Sequence, residues 1–122
     1  HERFTFGEPL AEKQSVVFAL ADMATDLRAA RALVRDAAAA LDAGASDVAL
    51  QCAMAKRFAT DAGFDIANRA LQLHGGYGYL QEYGIEKIVR DLRVHQILEG
   101  TNEIMRVIIG RELLGGREGR TT

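Results

Sequence analysis

The chain has 122 residues, of which 48% are hydrophobic and 26% are charged, and its formal net charge is -2. A chain of this size can form one small domain with its own core. The near-neutral charge argues against a protein that works by neutralising phosphates, such as a nucleic-acid binder. Cys52 is the only cysteine, so no disulfide forms within the chain and a reducing, intracellular compartment is expected. The sequence contains no run of about 20 apolar residues and no recognisable targeting segment, so no membrane span is expected.

The first half of the chain predicts two long helices. Residues 1–10 lack a helical period and are predicted to form an ordered loop. From about Ala11 a first helix is expected, ending at Gly44 in a left-handed cap. Its apolar stripe recurs at steps of three and four residues and consists of Val16, Leu20, Met23, Leu27, Ala30 and Val34.

A second helix is predicted to start after Ser46 or Asp47, both good N-caps, and to run to about Leu73. Its buried stripe is rich in alanine, which lets another helix approach closely. The stripe consists of Cys52, Ala55, Ala59, Ala62, Ile66, Ala70 and Leu73. On this interpretation Cys52 is an inert core residue.

The second half predicts two shorter helices. One starts at Ile85 and turns four apolar residues inward, namely Ile85, Ile88, Val89 and Leu92. Its Arg90 and Asp91 are interpreted as an ion pair or a helix-end contact. The other is capped by Thr101 or Asn102 and runs to Leu114. No β-type alternation is present, so the sequence predicts an all-α, up-down bundle of two long antiparallel helices and two shorter ones. The chain is predicted to be a single domain or fragment over residues 1–122, with a loop at 1–10, the bundle at 11–114 and a tail at 115–122.

Glu99 is the most unusual carboxylate in the chain. It follows Ile97 and Leu98 and precedes Gly100 at the entrance of a helix. Burial among apolar residues raises the pKa of a carboxyl group, whereas a helix N-terminus lowers it. A setting that combines the two suits a general base. The alternative is a surface glutamate that complements the helix dipole, and the local pattern leaves both open.

Other candidate ligand groups are weaker when taken alone. The glycine-rich segment 75–78 follows a helix and not a strand, which rejects a dinucleotide fingerprint. It is either a helix C-cap with a turn or a place where backbone approaches a flat ligand. Arg3 with Thr5 can bind a phosphate, or Arg3 can simply be solvated. His74 and His95 have no partners at metal-ligand spacing, so no metal is expected.

Taken together, these segments resemble the C-terminal helical domain of the acyl-CoA dehydrogenases. The resemblance covers nearly the whole chain in order. It rests on RFTFG at residues 3–7, Gln14, LADM at 20–23, QLHGGYGY at 72–79, Arg90-Asp91 and ILEGTNEI at 97–104. It implies an FAD-dependent oxidation of the Cα–Cβ bond of an acyl-CoA to a trans-2-enoyl-CoA. In this reaction Glu99 removes the pro-R α-proton, and a hydride passes from the β-carbon to flavin N5.

The resemblance also implies the remaining site residues and partners. Gly100 and Leu98 lie beside the substrate. Contacts with FAD, some of them to a flavin bound mainly by a partner subunit, are assigned to Arg3, Thr5, Gln14, Gln72, Leu73, His74, Gly75, Gly76, Thr101, Asn102 and Glu103. Implied partners are an electron-transfer flavoprotein and a second copy or a tetramer. The compartment is the bacterial cytoplasm or the mitochondrial matrix.

Two departures from the family pattern shape these expectations. Many straight-chain members carry tyrosine at the position of Leu98. The leucine makes the pocket wall beside the base aliphatic, which resembles the short branched-chain members. The family's two other domains and the first helix of this bundle have no counterpart here, so the chain resembles an inactive fragment with an exposed apolar groove. The alternatives are a non-catalytic helical association module and an acyl-CoA oxidase. A nitroalkane oxidase is disfavoured, because a site of that kind resembles one with an aspartate as the base, and this chain has Glu99 at that position.

Overall fold

The computed structural model describes residues 10–75 and 84–115. Four α-helices make up these residues: α1 (Leu10–Ala43), α2 (Val48–His74), α3 (Ile85–His95) and α4 (Asn102–Gly110), followed by a π-helical turn at Arg111–Gly115. The described residues contain no strand. The all-α prediction is therefore confirmed. The predicted loop at 1–10 and tail at 115–122 fall almost entirely outside the described residues.

A tight connection makes α1 and α2 neighbours. Gly44 has a φ of 65°, and its N–H donates to the Leu41 carbonyl at 3.2 Å. The N–H of Ala45 donates to the Ala40 carbonyl at 2.9 Å, which completes a Schellman-type C-cap. The predicted end of the first helix is thus confirmed. Asp47 holds the N-cap position of α2, but its carboxylate makes no capping bond and accepts instead from the Gln51 side chain at 2.9 Å.

The interface between α1 and α2 is built from small side chains. Apart from Met23, the buried hydrophobic residues of the two helices are all alanine, namely Ala30, Ala37, Ala40, Ala53, Ala55, Ala62 and Ala67. The predicted single stripe on α1 is wrong in part, because Leu20, Leu27 and Val34 are exposed. The surface of α1 that packs against α2 is narrow and, apart from Met23, its buried residues are alanine. Cys52 is also exposed, so its interpretation as a core residue is wrong.

The shorter helices α3 and α4 both pack against α2. Ile85, Val89 and Leu92 are half-buried as predicted, whereas Ile88 is 48% exposed. The predicted helix to Leu114 is α-helical only to Gly110 and continues as the π-helical turn.

Arg90 and Asp91 do not pair with each other. Each bonds the residue one turn earlier, Arg90 to Glu86 at 3.2 Å and Asp91 to Lys87 at 2.6 Å. Side chains three and four apart share one face of a helix, whereas neighbours in sequence do not. The hydrogen bond from Lys87 holds the pKa of Asp91 below its ordinary value.

None of the described helices has the length and apolar character needed to cross a bilayer.

Candidate functional site

The site is built on the short loop between α3 and α4, which carries Glu99. Glu99 has a φ of 58°, and Gly100 follows with a φ of 90°. Glu99 is the only described residue other than glycine in this left-handed region. A side chain with a Cβ disfavours that conformation, so it persists only where the surroundings hold it.

Backbone hydrogen bonds close the loop at its base. The N–H of Asn102 donates to the carbonyl of Gln96 at 3.0 Å. The N–H groups of Ile97 and Leu98 both donate to the Val94 carbonyl at 2.9 Å. Only five residues lie between Gln96 and Asn102, and Glu99 is at their centre. The loop is therefore a short, closed turn that presents Glu99 at its tip.

A buried amide fixes the start of α4 against the middle of α2. Asn102 is only 3% exposed. Its Nδ2 donates to Thr60 Oγ1 at 2.8 Å and to Asp61 Oδ1 at 2.7 Å, and its Oδ1 accepts from Lys56 Nζ at 2.7 Å. Both ends of the amide are satisfied, as burial of a polar group requires. We call Lys56, Thr60, Asp61, Gln96 and Asn102 the Asn102 cluster.

Lys56 extends this cluster to the loop itself. The same Nζ that bonds Asn102 donates to the carbonyl of Gly100 at 2.8 Å. Among the described residues, this bond is the one side-chain hydrogen bond that reaches residues 97–100 from another helix. It fixes the peptide between Gly100 and Thr101, one residue beyond Glu99.

Asp61 supplies the negative charge of the cluster. Its Oδ1 accepts from Gln96 Nε2 at 2.8 Å, and its Oδ2 lies 3.5 Å from both Arg57 and Arg106. Arg93, Glu103 and Arg106 join Asp61 around a polar recess of about 310 Å³. Two arginines and two carboxylates line the recess, so it presents charges of both signs.

Glu99 itself lies at the surface of the described chain. Its carboxylate has no hydrogen bond or ion pair with any residue in 10–75 or 84–115, and neither does its backbone N–H. Leu98 is 44% exposed and Ile97 is 50% exposed. No described element packs over the loop, so Glu99 is exposed within the part of the chain that the structure describes. Its apolar neighbours are present as predicted.

The N-terminus of α4 is capped as predicted. Thr101 Oγ1 accepts from the N–H of Ile104 at 3.2 Å, and the Thr101 carbonyl accepts from the N–H of Met105 at 3.0 Å. With the N–H of Asn102 also bonded, Glu103 is the first-turn residue whose N–H has no acceptor among the described residues. The first turn of α4 therefore keeps one free N–H donor among the described residues.

The residues predicted to contact FAD do not all come together in one chain. Gln14 lies near the start of α1, and Gln72, Leu73 and Gly75 lie at the end of α2, where Gly75 has a φ of 66°. Gln72 is sixteen residues beyond Lys56 on α2, a separation of about 24 Å along the helix axis. This group therefore lies far from the Glu99 loop. Arg3, Thr5, Gly76 and the side chain of His74 lie outside the described residues.

Sequence reasoning missed Lys56, Thr60 and Asp61. Their only sequence signal is that three polar residues interrupt the alanine-rich run of α2 at a spacing that puts them on one side of a helix. The residue that they contact, Asn102, lies 42 residues after Thr60 in sequence. Among the described residues, no group of three histidine, cysteine or acidic side chains is placed to hold a metal ion.

Comparisons with known proteins agree with this architecture. Residues 1–114 match the family described as acyl-CoA dehydrogenase, C-terminal domain. The mitochondrial isobutyryl-CoA dehydrogenase of Bos taurus is 57% identical over 112 residues, which is 92% of this chain and 27% of that protein. The acryloyl-CoA reductase (NADH) of Anaerotignum propionicum is 46% identical over 114 residues, 93% of this chain and 29% of that protein.

A solved structure shows the same fold. Butyryl-CoA dehydrogenase from Megasphaera elsdenii superposes with a TM-score of 0.82 at 42% identity, over 90% of this chain and 28% of that one. The chain thus spans little more than a quarter of the length of the relatives it matches. Helix order, capped loop and similarity over nearly the whole chain lead to one conclusion: this chain belongs to the acyl-CoA dehydrogenase family, in which it corresponds to the C-terminal domain.

Proposed function

We propose that this chain supplies the catalytic base of an FAD-dependent acyl-CoA dehydrogenase. The observation that carries the proposal is the clamped left-handed conformation at Glu99, with a carboxylate that has no partner in the described chain. Backbone strain that surrounding contacts hold in place is concentrated at functional sites. A surface glutamate that served only the helix dipole would need no such conformation.

The described residues are compatible with FAD. Gln14 and Gln72 are exposed amides without hydrogen bonds to described residues, and Glu103 offers a free N–H at a helix start. Exposed amides and a free helix-start N–H are groups that bind the polar parts of a nucleotide. When bound, FAD supplies the acceptor for the hydride that leaves the β-carbon. The separation of about 24 Å along α2 suits two different flavins, one beside the Glu99 loop and one beside the C-terminal end of α2, as in a dimer or tetramer.

Glu99 has two tasks in this proposal. Its carboxylate receives the α-proton of the acyl thioester, which is weakly acidic and needs a base held in position. Its backbone N–H, which has no acceptor among the described residues, donates to the thioester oxygen as negative charge develops there. Asn102 and Thr101 serve the site by holding the loop, since their polar side chains already have partners within the chain.

The proposed substrate is a short, branched acyl-CoA. Leu98 gives the site an aliphatic wall beside the base, and the bovine relative is named for isobutyryl-CoA. Electrons would leave through an electron-transfer flavoprotein. The proposed compartment is the mitochondrial matrix in a eukaryote, since the bovine relative is named as mitochondrial, or the cytoplasm in a bacterium.

Replacing the base tests the proposal. In the FAD-loaded natural protein that carries this sequence, Glu99→Gln should slow flavin bleaching by isobutyryl-CoA by about 100-fold or more, because an amide cannot take the proton. The matched control is Glu112→Gln, an exposed glutamate in the π-helical turn, which should leave the rate unchanged. Near-normal bleaching in the Glu99 variant would reject the assigned base. A protein that purifies without yellow flavin would favour the non-catalytic association module.

A second candidate is the reverse reaction, favoured by the similarity to the acryloyl-CoA reductase. Glu99 would then donate the α-proton while the β-carbon gains the hydride. Anaerobic mixing separates the two directions. A dehydrogenase bleaches its flavin with isobutyryl-CoA, whereas a reductase shows rapid recovery of flavin colour when prereduced protein meets acryloyl-CoA. Oxygen consumption during turnover would identify an oxidase.

A further inference from the structure

We propose that Lys56 is a positioning residue for the Glu99 base, acting through the carbonyl of Gly100. This inference rests on the proposed function and adds to it a residue on a different helix from the base. Lys56 lies in the middle of α2, 44 residues before Gly100 in sequence. Only the fold brings the two together.

The ammonium group of Lys56 is directed at the loop and at the start of α4. It is half-buried, and it donates hydrogen bonds to the Gly100 carbonyl at 2.8 Å and to Asn102 Oδ1 at 2.7 Å. It forms no ion pair with a described carboxylate. A lysine buried for stability is normally paired with an acid, because a charge removed from water is costly. Lys56 instead directs its charge to two neutral oxygens at the loop and at the start of α4.

The unusual backbone of the loop needs a contact that holds the peptide after Gly100. Two successive residues, Glu99 and Gly100, have positive φ angles, and the first of them carries a Cβ. The peptide between Gly100 and Thr101 must keep its orientation for Glu99 to keep its own. Closure at Gln96 and Asn102 fixes the base of the loop but not this peptide. The bond from Lys56 is the contact that fixes it, and charge-assisted bonds of this length are strong.

Lys56 does not touch Glu99, which separates positioning from charge effects. No ion pair within 4.0 Å joins the two side chains, and both belong to the described residues. The other charged groups near the loop are Asp61 of the Asn102 cluster, the two arginines that pair with it, Arg57 and Arg106, and the Arg93 and Glu103 that line the same recess. If Lys56 acted on Glu99 as a charge through space, removing it would shift the pH dependence of proton abstraction. If it acts as a positioning residue, the rate falls and the pH dependence stays.

The experiment uses Lys56→Met and Lys56→Arg in the FAD-loaded natural protein. We expect Lys56→Met to lower the rate constant of flavin reduction at saturating isobutyryl-CoA by about 10- to 100-fold, as small misplacements of a reacting group do. The dissociation constant of the acyl-CoA and the FAD content should stay within about twofold of the original protein, since the ammonium group of Lys56 is already bonded to Gly100 and Asn102. Lys56→Arg keeps a cationic donor and should recover most of the rate. The pH midpoint of the rate should not move in either variant.

The control is Lys87→Met, which removes a lysine from the exposed face of α3 and should leave the rate unchanged. The inference is overturned if Lys56→Met reduces flavin at the original rate, if its pH midpoint shifts, or if loss of FAD or acyl-CoA binding accounts for the whole effect. Should Lys56→Met not fold, Lys56→Arg carries the test, and an unaltered rate together with a shifted pH midpoint would overturn it. Glu99→Gln is measured alongside. A normal rate in that variant sinks the proposed function, whereas a slow rate there with an unaffected Lys56→Met sinks only the positioning role.

Discussion

Gly100 shows how much of the loop's geometry depends on a single residue. Its φ of 90° disfavours any side chain, and an added Cβ would lie 3.0 Å from the terminal methyl group of Met105. Met105 is buried, but its end is flexible and can move by a few tenths of an ångström. We therefore attribute most of the cost of a substitution here to the backbone and less to the collision.

Gly100→Ala should lower the free energy of unfolding by about 1–2 kcal/mol, the usual cost of a left-handed residue with a Cβ. The measurement is denaturant unfolding of the natural protein, followed by helical circular dichroism. Gly110→Ala is the control, since Gly110 lies in α4 with nothing within 4 Å of the new Cβ. It should be neutral or stabilise by about 0.5–1 kcal/mol. Equal destabilisation by both substitutions would contradict a special role for the Gly100 conformation.

Glu99 illustrates what the residue scale can and cannot predict. Its candidacy followed from its place between apolar residues and a glycine, and the structure adds the positive φ that local sequence did not reveal. The glycine after it was a visible sign of unusual backbone, but a non-glycine residue at φ 58° has no sequence signature. The side chain that bonds the carbonyl of the next residue, Lys56, comes from a different helix and lies 44 residues from Gly100 in sequence.

At the scale of elements, the attachment of α4 to α2 depends on polar contacts more than on apolar ones. Met105 is the one buried apolar side chain of α4, and Asn102 is its other buried residue. All buried side-chain nitrogen and oxygen atoms among the described residues have partners. Such a satisfied cluster selects one arrangement of two helices, because any shift leaves buried groups unpaired.

Asn102→Ala should therefore destabilise the protein by about 2–3 kcal/mol, since it removes the partners of Thr60, Asp61 and Lys56 within a buried site. Chemical denaturation measures the loss. Asn68→Ala serves as the comparison, because Asn68 is exposed on α2 and the same change there should cost nothing. A loss below about 0.5 kcal/mol for Asn102→Ala would show that water replaces the cluster without penalty.

The helices were predictable and the cluster was not, for a physical reason. Helix bounds follow from local signals such as Gly44, Thr101 and a 3.6-residue period, and the structure confirms the two long helices to within about two residues. The choice of Lys56, Thr60 and Asp61 as partners for Asn102 is made across more than 40 residues of sequence. A single sequence carries no signal for such a pairing. The predicted burial of Cys52 is wrong for a related reason, since an apolar residue on a helix stripe is buried only if another element packs over it.

For the molecule as a whole, α1 divides its apolar residues between two adjacent stripes. Met23, Ala30 and Ala37 face α2 and are buried, whereas a second series at the same seven-residue spacing stays exposed. That series consists of Leu20, Leu27, Val34 and Leu41, with exposures of 50%, 40%, 47% and 63%. The larger side chains are thus the exposed ones. A continuous apolar stripe of this kind is typical of a surface that another protein element covers.

This division predicts the behaviour of the 122-residue chain on its own. The chain should self-associate, and Leu27→Gln combined with Val34→Gln should shift it towards monomer by removing the middle of the exposed stripe while keeping good helix formers in α1. Sedimentation velocity over a range of concentrations measures the association, and circular dichroism checks that helix content is kept. The control is Ala29→Gln with Ala32→Gln, two exposed α1 positions outside the stripe, which should leave association unchanged. If the original chain is monomeric at high concentration, the stripe is tolerated in water and needs no cover. If both double variants dissociate it equally, added polarity anywhere on α1 is the cause, and the seven-residue stripe is not the contact surface.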